Sequence, residues 1–269
     1  MLVIGEKINA SNKSVGQAIA NRDSEFLRKL AADQDAAGAD FIDVNAGAGH
    51  GSWEHPEDAM EWVVEVVQTA TDKPLAIDSD THKVIQSALK KYRGERVMIN
   101  SVNAEADRLE TIGSLAAERQ AWLVALVMGE GGIPNNVEER LAAADRIMTH
   151  LGRLGIREEQ VFFDPLVLPI SVDANQAIVT LRTLEGLKSR FPLARTTMGL
   201  SNISFGLPNR DVINRAFLLM AIAADLDSAI LNPLDAKIMS AAKVGDMLAG
   251  RDPGCRAYVK AHRKGLILD

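Results

Sequence analysis

Met198-Gly199-Leu200-Ser201-Asn202-Ile203-Ser204 ends a short apolar run and turns polar at its Ser-Asn pair. We read residues 196–201 as a barrel strand that delivers Ser201 and Asn202 to a pocket mouth, with Asn202 the candidate catalytic residue. Seven other short runs have a comparable apolar character: 2–8, 41–45, 75–78, 97–101, 122–128, 161–164 and 228–232. Helical patterns follow at 25–37, 56–71, 81–92, 104–120, 136–154, 175–190, 210–225 and 235–248. Eight strands, each followed by a helix, predict an α/β chain folded as a single (β/α)8 TIM barrel over residues 1–269. The active site of that architecture lies at the C-terminal ends of the strands.

Punctuation supports the division. Gly38 and Gly155 follow helical runs, where a left-handed residue ends a helix. Asn209 or Asp211 can cap the seventh helix, and Ile213, Phe217 and Met220 recur at helical spacing. Pro56, Pro74 and Pro165 stand at element edges, where a missing N–H is tolerated.

Composition narrows the class. Hydrophobic residues are 47% of the 269 but aromatics only 4%, so the core is built from Ala, Val, Ile, Leu and Met. The net charge of −6 offers no basic stripe for nucleic acid. The lone Cys255 excludes a disulfide framework and a cysteine-rich metal or cluster site on this chain. No apolar run reaches the roughly 18–20 residues of a membrane span. Met1-Leu2-Val3-Ile4-Gly5-Glu6 reads directly as a strand rather than a signal peptide, so a cytoplasmic location is expected.

The strand ends carry the chemistry. In chain order they are Glu6 and Asn9, Asp43 and Asn45, Asp78 and Ser79, Asn100 and Ser101, Asp164, Ser201 and Asn202, and Asn232. Taken singly, a strand-end Asp or Asn is a turn former or helix cap, and Asp43, Ser79 and Asp164 all admit that reading. Taken together, they converge on one barrel face, where burying them is costly unless they pair or meet a ligand. Carboxylates and amides without strand-end cations suit a ligand rich in N–H donors. A fused pyrimidine with an amino group fits, though sugars and amino acids use the same residue types.

Other patterns are weaker. Gly47-Ala48-Gly49-His50-Gly51 looks like a dinucleotide loop, but Ser52-Trp53-Glu54-His55-Pro56 separates it from the next helix. His50, His55, His82, His150 and His262 show no zinc spacing, so no metal is expected. Ser201 has no evident histidine partner for a nucleophile's role. Gly129-Glu130-Gly131-Gly132 reads as a solvated turn ahead of a mobile loop.

The strand-end motifs also carry a resemblance. Ile4-Gly5-Glu6-Lys7-Ile8-Asn9, Asp43-Val44-Asn45, Ala76-Ile77-Asp78-Ser79, Met98-Ile99-Asn100-Ser101, Phe163-Asp164-Pro165-Leu166 and Gly199-Leu200-Ser201-Asn202-Ile203-Ser204 stand in order along nearly the whole chain. The set resembles the pterin-binding methyltransferases that use methyltetrahydrofolate and a corrinoid. These include the methyltetrahydrofolate:corrinoid iron–sulfur protein methyltransferase and the folate module of cobalamin-dependent methionine synthase. The resemblance implies a homodimeric barrel in which Asp78, Asn100 and Asp164 hydrogen-bond the pterin. Gly199 and Ser201 would shape the same wall, and Asn202 would sit near N5. It places Glu6, Asp43, Asn45, Met128 and Arg210 in a second tier, Arg210 on the corrinoid-facing side. It implies methyltetrahydrofolate or tetrahydrofolate as substrate, a corrinoid (cobalamin) brought by a partner protein, and no cofactor held tightly on this chain. Phe205 departs from the iron–sulfur-protein enzyme, which is polar there, and is more like methionine synthase, which leaves the corrinoid partner open.

The dihydropteroate synthases share that fold and pterin site, but carry a Gly-x-Ser-Arg-Lys segment where this chain has Gly199-Leu200-Ser201-Asn202. A non-catalytic pterin-binding or docking subunit and an unrelated barrel lyase or isomerase are the alternatives from other classes.

Overall fold

The structure is a computed structural model that describes residues 1–47 and 55–268. Its strands are β1 (Leu2–Asn9), β2 (Phe41–Asn45), β3 (Leu75–Asp78), β4 (Val97–Val102), β5 (Trp122–Leu126), β6 (Val161–Asp164), β7 (Arg195–Thr196) and β8 (Ser228–Leu231). Its helices are α1 (Lys13–Ala20), α2 (Ser24–Ala36), α3 (Pro56–Val67), α4 (His82–Lys91), α5 (Ala106–Arg119), α6 (Val137–Arg153), α7 (Gln176–Arg190), α8 (Arg210–Ala223), α9 (Ala236–Leu248) and α10 (Arg256–Arg263). The eight strands form one parallel sheet in the order β7-β6-β5-β4-β3-β2-β1-β8. The sheet closes on itself beyond β7. The Ile230 N–H donates to the Met198 carbonyl at 2.8 Å, and the Ser228 hydroxyl donates to the Thr196 carbonyl at 2.9 Å.

The two-residue period of a strand explains how this barrel separates core from site. Ile4, Phe41, Ala76, Met98, Val124 and Phe162 form one buried apolar cluster. Two residues further along their strands stand Glu6, Asp43, Asp78, Asn100, Leu126 and Asp164, which share the inward face. The intervening residues, such as Ile42, Ile77, Ile99, Ala125 and Phe163, join the larger cluster that includes the helices. The N-terminal end of the barrel is filled by Trp122, whose ring lies 5.2 Å from Phe41 and 5.5 Å from Phe162. The Arg195 guanidinium covers that plug, 5.0 Å from the Trp122 ring and 5.4 Å from Phe162. A ligand therefore has the polar end to enter.

Three local expectations change. The strand expected over 196–201 stops at Thr196, and Leu200–Ser204 forms a 3₁₀ turn. Ser201 and Asn202 thus sit on a turn and not on a strand. Its short hydroxyl and amide side chains compete for the backbone, as in the Ser204 hydroxyl bond to the Ser201 carbonyl at 3.3 Å. β5 ends at Leu126, so Met128 lies beyond it, in a bend closed by its own N–H on the Leu126 carbonyl at 2.8 Å. Two short helices, α1 and α10, stand where no helix was expected; α1 is capped by the Asn12 side chain on the Ser14 N–H. Gly38 and Gly155 have the left-handed φ of 99° and 80° anticipated for helix ends. Asn209 is the residue before α8 but makes no side-chain cap.

Candidate functional site

The site is built around the barrel mouth from neighbouring strands. On β2, Asp43 is 2% exposed, and the Asn100 amide of β4 donates to its Oδ2 at 3.1 Å. Also on β2, the Asn45 amide donates to Asp78 Oδ2 at 2.7 Å, and Asn45 Oδ1 receives the Gly47 N–H at 2.7 Å. Asp78 and Asn100 pair across β3 and β4, so these four side chains form one continuous patch. With its Nδ2 engaged by Asp43, Asn100 has its amide oxygen left to offer. A cavity of about 430 Å³ runs along this side, lined by Asn9, Asn45, Asp78, Ser79 and Asp80 among others.

The opposite wall comes from β6 and the 3₁₀ turn. Asp164 is 8% exposed; its Oδ1 accepts the Leu166 N–H at 2.8 Å, and the Gly199 N–H also bonds this carboxylate. Gly199 in turn lies under Asn202, since a Cβ added there would come within 3.2 Å of Asn202 Nδ2. The Asn202 side chain is exposed at the rim and makes no hydrogen bond among the described residues. Arg210 pins the turn from α8 by donating to the Ser201 carbonyl at 2.7 Å and to the Ser204 hydroxyl at 3.0 Å. Its guanidinium lies 6.0 Å from the exposed Phe205 ring. Beside them a cavity of 260 Å³ is lined by Glu6, Ser201, Arg210, Asn214 and Asn232, among others.

Burial tunes these carboxyls apart. Asp43 is raised well above the ordinary range, by burial first and then by the charge of Asp78, against the Asn100 hydrogen bond. Asp78 is raised to about 6, chiefly by burial, with the Asn45 bond opposing and Asp80 adding to the rise. Asp164 is also raised to about 6 by burial, opposed by the Leu166 N–H, Arg140 and the Gly199 N–H. Burial raises Glu6, while Lys7 and Arg210 oppose it. At neutral pH, Asp78 and Asp164 are thus buried anionic acceptors, while burial and the neighbouring Asp78 disfavour charge on Asp43. Two such acceptors with a facing amide suit a planar ring bearing several N–H donors.

Not every expected residue belongs to this patch. Asn9, Ser79 and Asn232 spend a side-chain oxygen on turns, accepting the N–H of Ser11, Thr81 and Leu234 respectively. The cap or turn reading fails for Asp43, which is buried inside the barrel. Met128 is half-buried, with its carbonyl bound to the Ala104 N–H at 2.7 Å. Gly129–Gly132 is a hydrogen-bonded turn, closed at 2.8 Å. Of the glycine-rich stretch 47–51, only Gly47 is within the described residues. A fully buried arginine, Arg140, escaped the sequence reading altogether. The one signal was a cation near the start of a helix, where the dipole disfavours it.

Residues 5–232 match the family model described as pterin-binding enzyme. A methylcorrinoid:tetrahydrofolate methyltransferase of Eubacterium limosum is 33% identical over 274 aligned residues, covering 99% of this chain and 98% of that protein. Methionine synthase of Mycobacterium tuberculosis is 32% identical over 86% of this chain, which spans only 20% of that longer protein. Among solved structures, a dihydropteroate synthase of Coxiella burnetii in complex with pteroic acid superposes with a TM-score of 0.68 at 13% identity, covering 93% of this chain and 94% of that one. The Yersinia pestis dihydropteroate synthase gives 0.63 at 14% identity, covering 93% of each chain. At such identities the two synthases speak for the fold alone. The family match runs from β1 past the end of β8, and the Eubacterium relative aligns end to end: the chain belongs to the pterin-binding enzyme family.

Proposed function

We propose that this chain transfers a methyl group between N5 of methyltetrahydrofolate and the cobalt of a corrinoid carried by a partner protein. The observation that carries the proposal is the free Asn202 amide at the rim, tied through Gly199 to the buried Asp164 carboxylate. The end-to-end relative named for methylcorrinoid and tetrahydrofolate supports it.

The residues divide the work. Asp78 and Asp164 accept from the amino group and ring N–H groups of the pterin, and Asn100 offers its amide oxygen. Gly199 and Ser201 shape the wall, and Glu6, Asp43, Asn45, Met128 and Arg210 surround or support it. The methyl group on N5 is a poor electrophile because its leaving group is an amine anion. Hydrogen bonding at N5 that strengthens as the nitrogen gains proton character lowers the barrier, and in this reading Asn202 supplies it. Co(I) of the corrinoid is the nucleophile: its electron pair forms the Co–CH3 bond as the CH3–N5 bond breaks, N5 takes up a proton from solvent, and the reverse reaction uses the same contacts. Both folate and corrinoid are substrates here, the second brought by its carrier protein.

The chain acts as one domain, in the cytoplasm and as a homodimer. On α8, Val212, Ala216, Met220 and Ala223 are exposed along one helical stripe, which a second copy would cover. The assay for the activity is anaerobic methyl transfer from methyltetrahydrofolate to Co(I) cobalamin. Folate binding without transfer, even to a native corrinoid protein, would favour the docking subunit, and no folate binding would remove the pterin reading.

A further inference from the structure

Arg140 has no place in the chemistry above, yet it is the largest fully buried side chain with a charge. It sits near the N-terminus of α6, where the helix dipole opposes a cation. All its hydrogen-bond acceptors are neutral oxygens. Nε donates to the Pro134 carbonyl at 3.0 Å, and one terminal nitrogen to the Pro165 and Leu166 carbonyls at 2.8 and 3.0 Å. The other terminal nitrogen donates to Gln176 Oε1 at 3.0 Å. The guanidinium thus joins the loop after β5, the turn after β6 and the start of α7.

The turn it grips leads back to the site. Leu166 has a φ of 67°, a left-handed conformation unfavourable for a residue with a branched side chain. Its carbonyl is held by Arg140 and by the Thr180 hydroxyl at 3.3 Å, and its N–H is aimed at Asp164 Oδ1. With that N–H on one oxygen and the Gly199 N–H also bonding the carboxylate, the turn and its neighbour fix the plane in which Asp164 is presented.

We propose that Arg140 is the positioning residue for Asp164: it holds the strained Leu166 turn that fixes the carboxylate's orientation, and supplies the positive charge that keeps it an anionic acceptor for the pterin. This rests on the pterin role given to Asp164 above. The groups around Asp164 fit that assignment. β5 sets Leu126 beside it, and the turn before α8 offers the Gly199 N–H. From α7 come the neutral Gln176 and Thr180, with Asp173 behind Gln176 at 2.9 Å. Of the charged groups acting on Asp164, Arg140 is the one that lowers its pKa. A lysine cannot replace it, because one ammonium does not span carbonyls in four directions as a planar fork does.

The test is the Kd of the intact protein for methyltetrahydrofolate from about pH 5.5 to about pH 8, where a shifted carboxylate titrates. Wild-type affinity falls on acidification as Asp164 takes up a proton. Arg140→Met moves that acid limb up by about one pH unit and weakens binding at neutral pH about tenfold. Arg140→Lys keeps the limb in place and weakens binding about tenfold at every pH, because charge survives but geometry does not. The part of the limb owed to Asp78 stays put, since its neighbours are Asn45, Asp43 and Asp80. A Met variant with the wild-type limb overturns the proposal, whatever its melting temperature. Should that variant not fold, a Lys variant that binds like wild type at every pH overturns it too. A wild-type protein that binds no folate instead defeats the function proposed above, which separates the two failures.

Discussion

Asn202 and Asp164 stand close together yet differ in what the fold asks of them. Asn202 is exposed and unpaired among the described residues, so truncating it disturbs little of the structure. Asn202→Ala should lower the methyl-transfer rate by roughly 10²–10³-fold, as when one transition-state donor is removed. The melting temperature should stay near that of wild type, and Asp43→Ala should cost much less rate. Stopped-flow transfer under single turnover reads both, and near-normal turnover in the Asn202 variant would dismiss its role at N5. Asp164 is the opposite case. Its pKa is ordinary in the unfolded chain and about 6 in the fold, chiefly through burial. The folded state therefore binds more protons than the unfolded state between those values. The ionised group opposes folding above about pH 6, and that penalty fades as pH falls toward the ordinary carboxylate range. Asp164→Asn should then stabilise the ligand-free protein at pH 7 by up to about 3 kcal/mol while weakening folate binding. Thermal melts at pH 7 and pH 5 check this; a variant less stable than wild type at pH 7 contradicts it.

At the scale of elements, the strands were legible and the turn that matters was not. β2, β3 and β6 have the ends expected of them, because a short apolar run broken by Asp or Asn is a strand entering a polar mouth. β7 misled for the same reason. Thr196-Thr197-Met198 continues the apolar pattern, but Gly199 and the hydroxyl and amide side chains after it favour a tight turn, which Arg210 then pins from α8. That bond spans nine residues and has no trace in local periodicity. Arg140 is illegible likewise, since its acceptors are carbonyls of three separate segments. α8 also shows an apolar stripe that periodicity assigns to packing, although Val212 is 59% and Met220 47% exposed. If a second copy covers the stripe, Met220→Glu should give a monomer in sedimentation velocity while its helix content stays unchanged. A variant still dimeric, or a wild type already monomeric, would discard that surface.

On the scale of the molecule, the barrel divides its labour by height. Trp122 and Arg195 close one end, the layer of Ile4, Phe41, Ala76, Met98, Val124 and Phe162 lies above them, and carboxylates and amides meet at the other end. A two-residue period passing through strands in register produces this layering, so the sequence showed the polar end without showing which side chains touch. The pairing of Asp43 with Asn100, and of Asn45 with Asp78, depends on the stagger between strands. Proof of function lies in the reaction. We would mix the purified protein anaerobically with methyltetrahydrofolate and Co(I) cobalamin, and follow the cobalt spectrum. The Co(I) absorbance should decay and methylcobalamin appear at a rate proportional to the protein. If the Co(I) spectrum persists with free cobalamin and with a native corrinoid protein, while folate binds normally, methyl transfer is not what this barrel does.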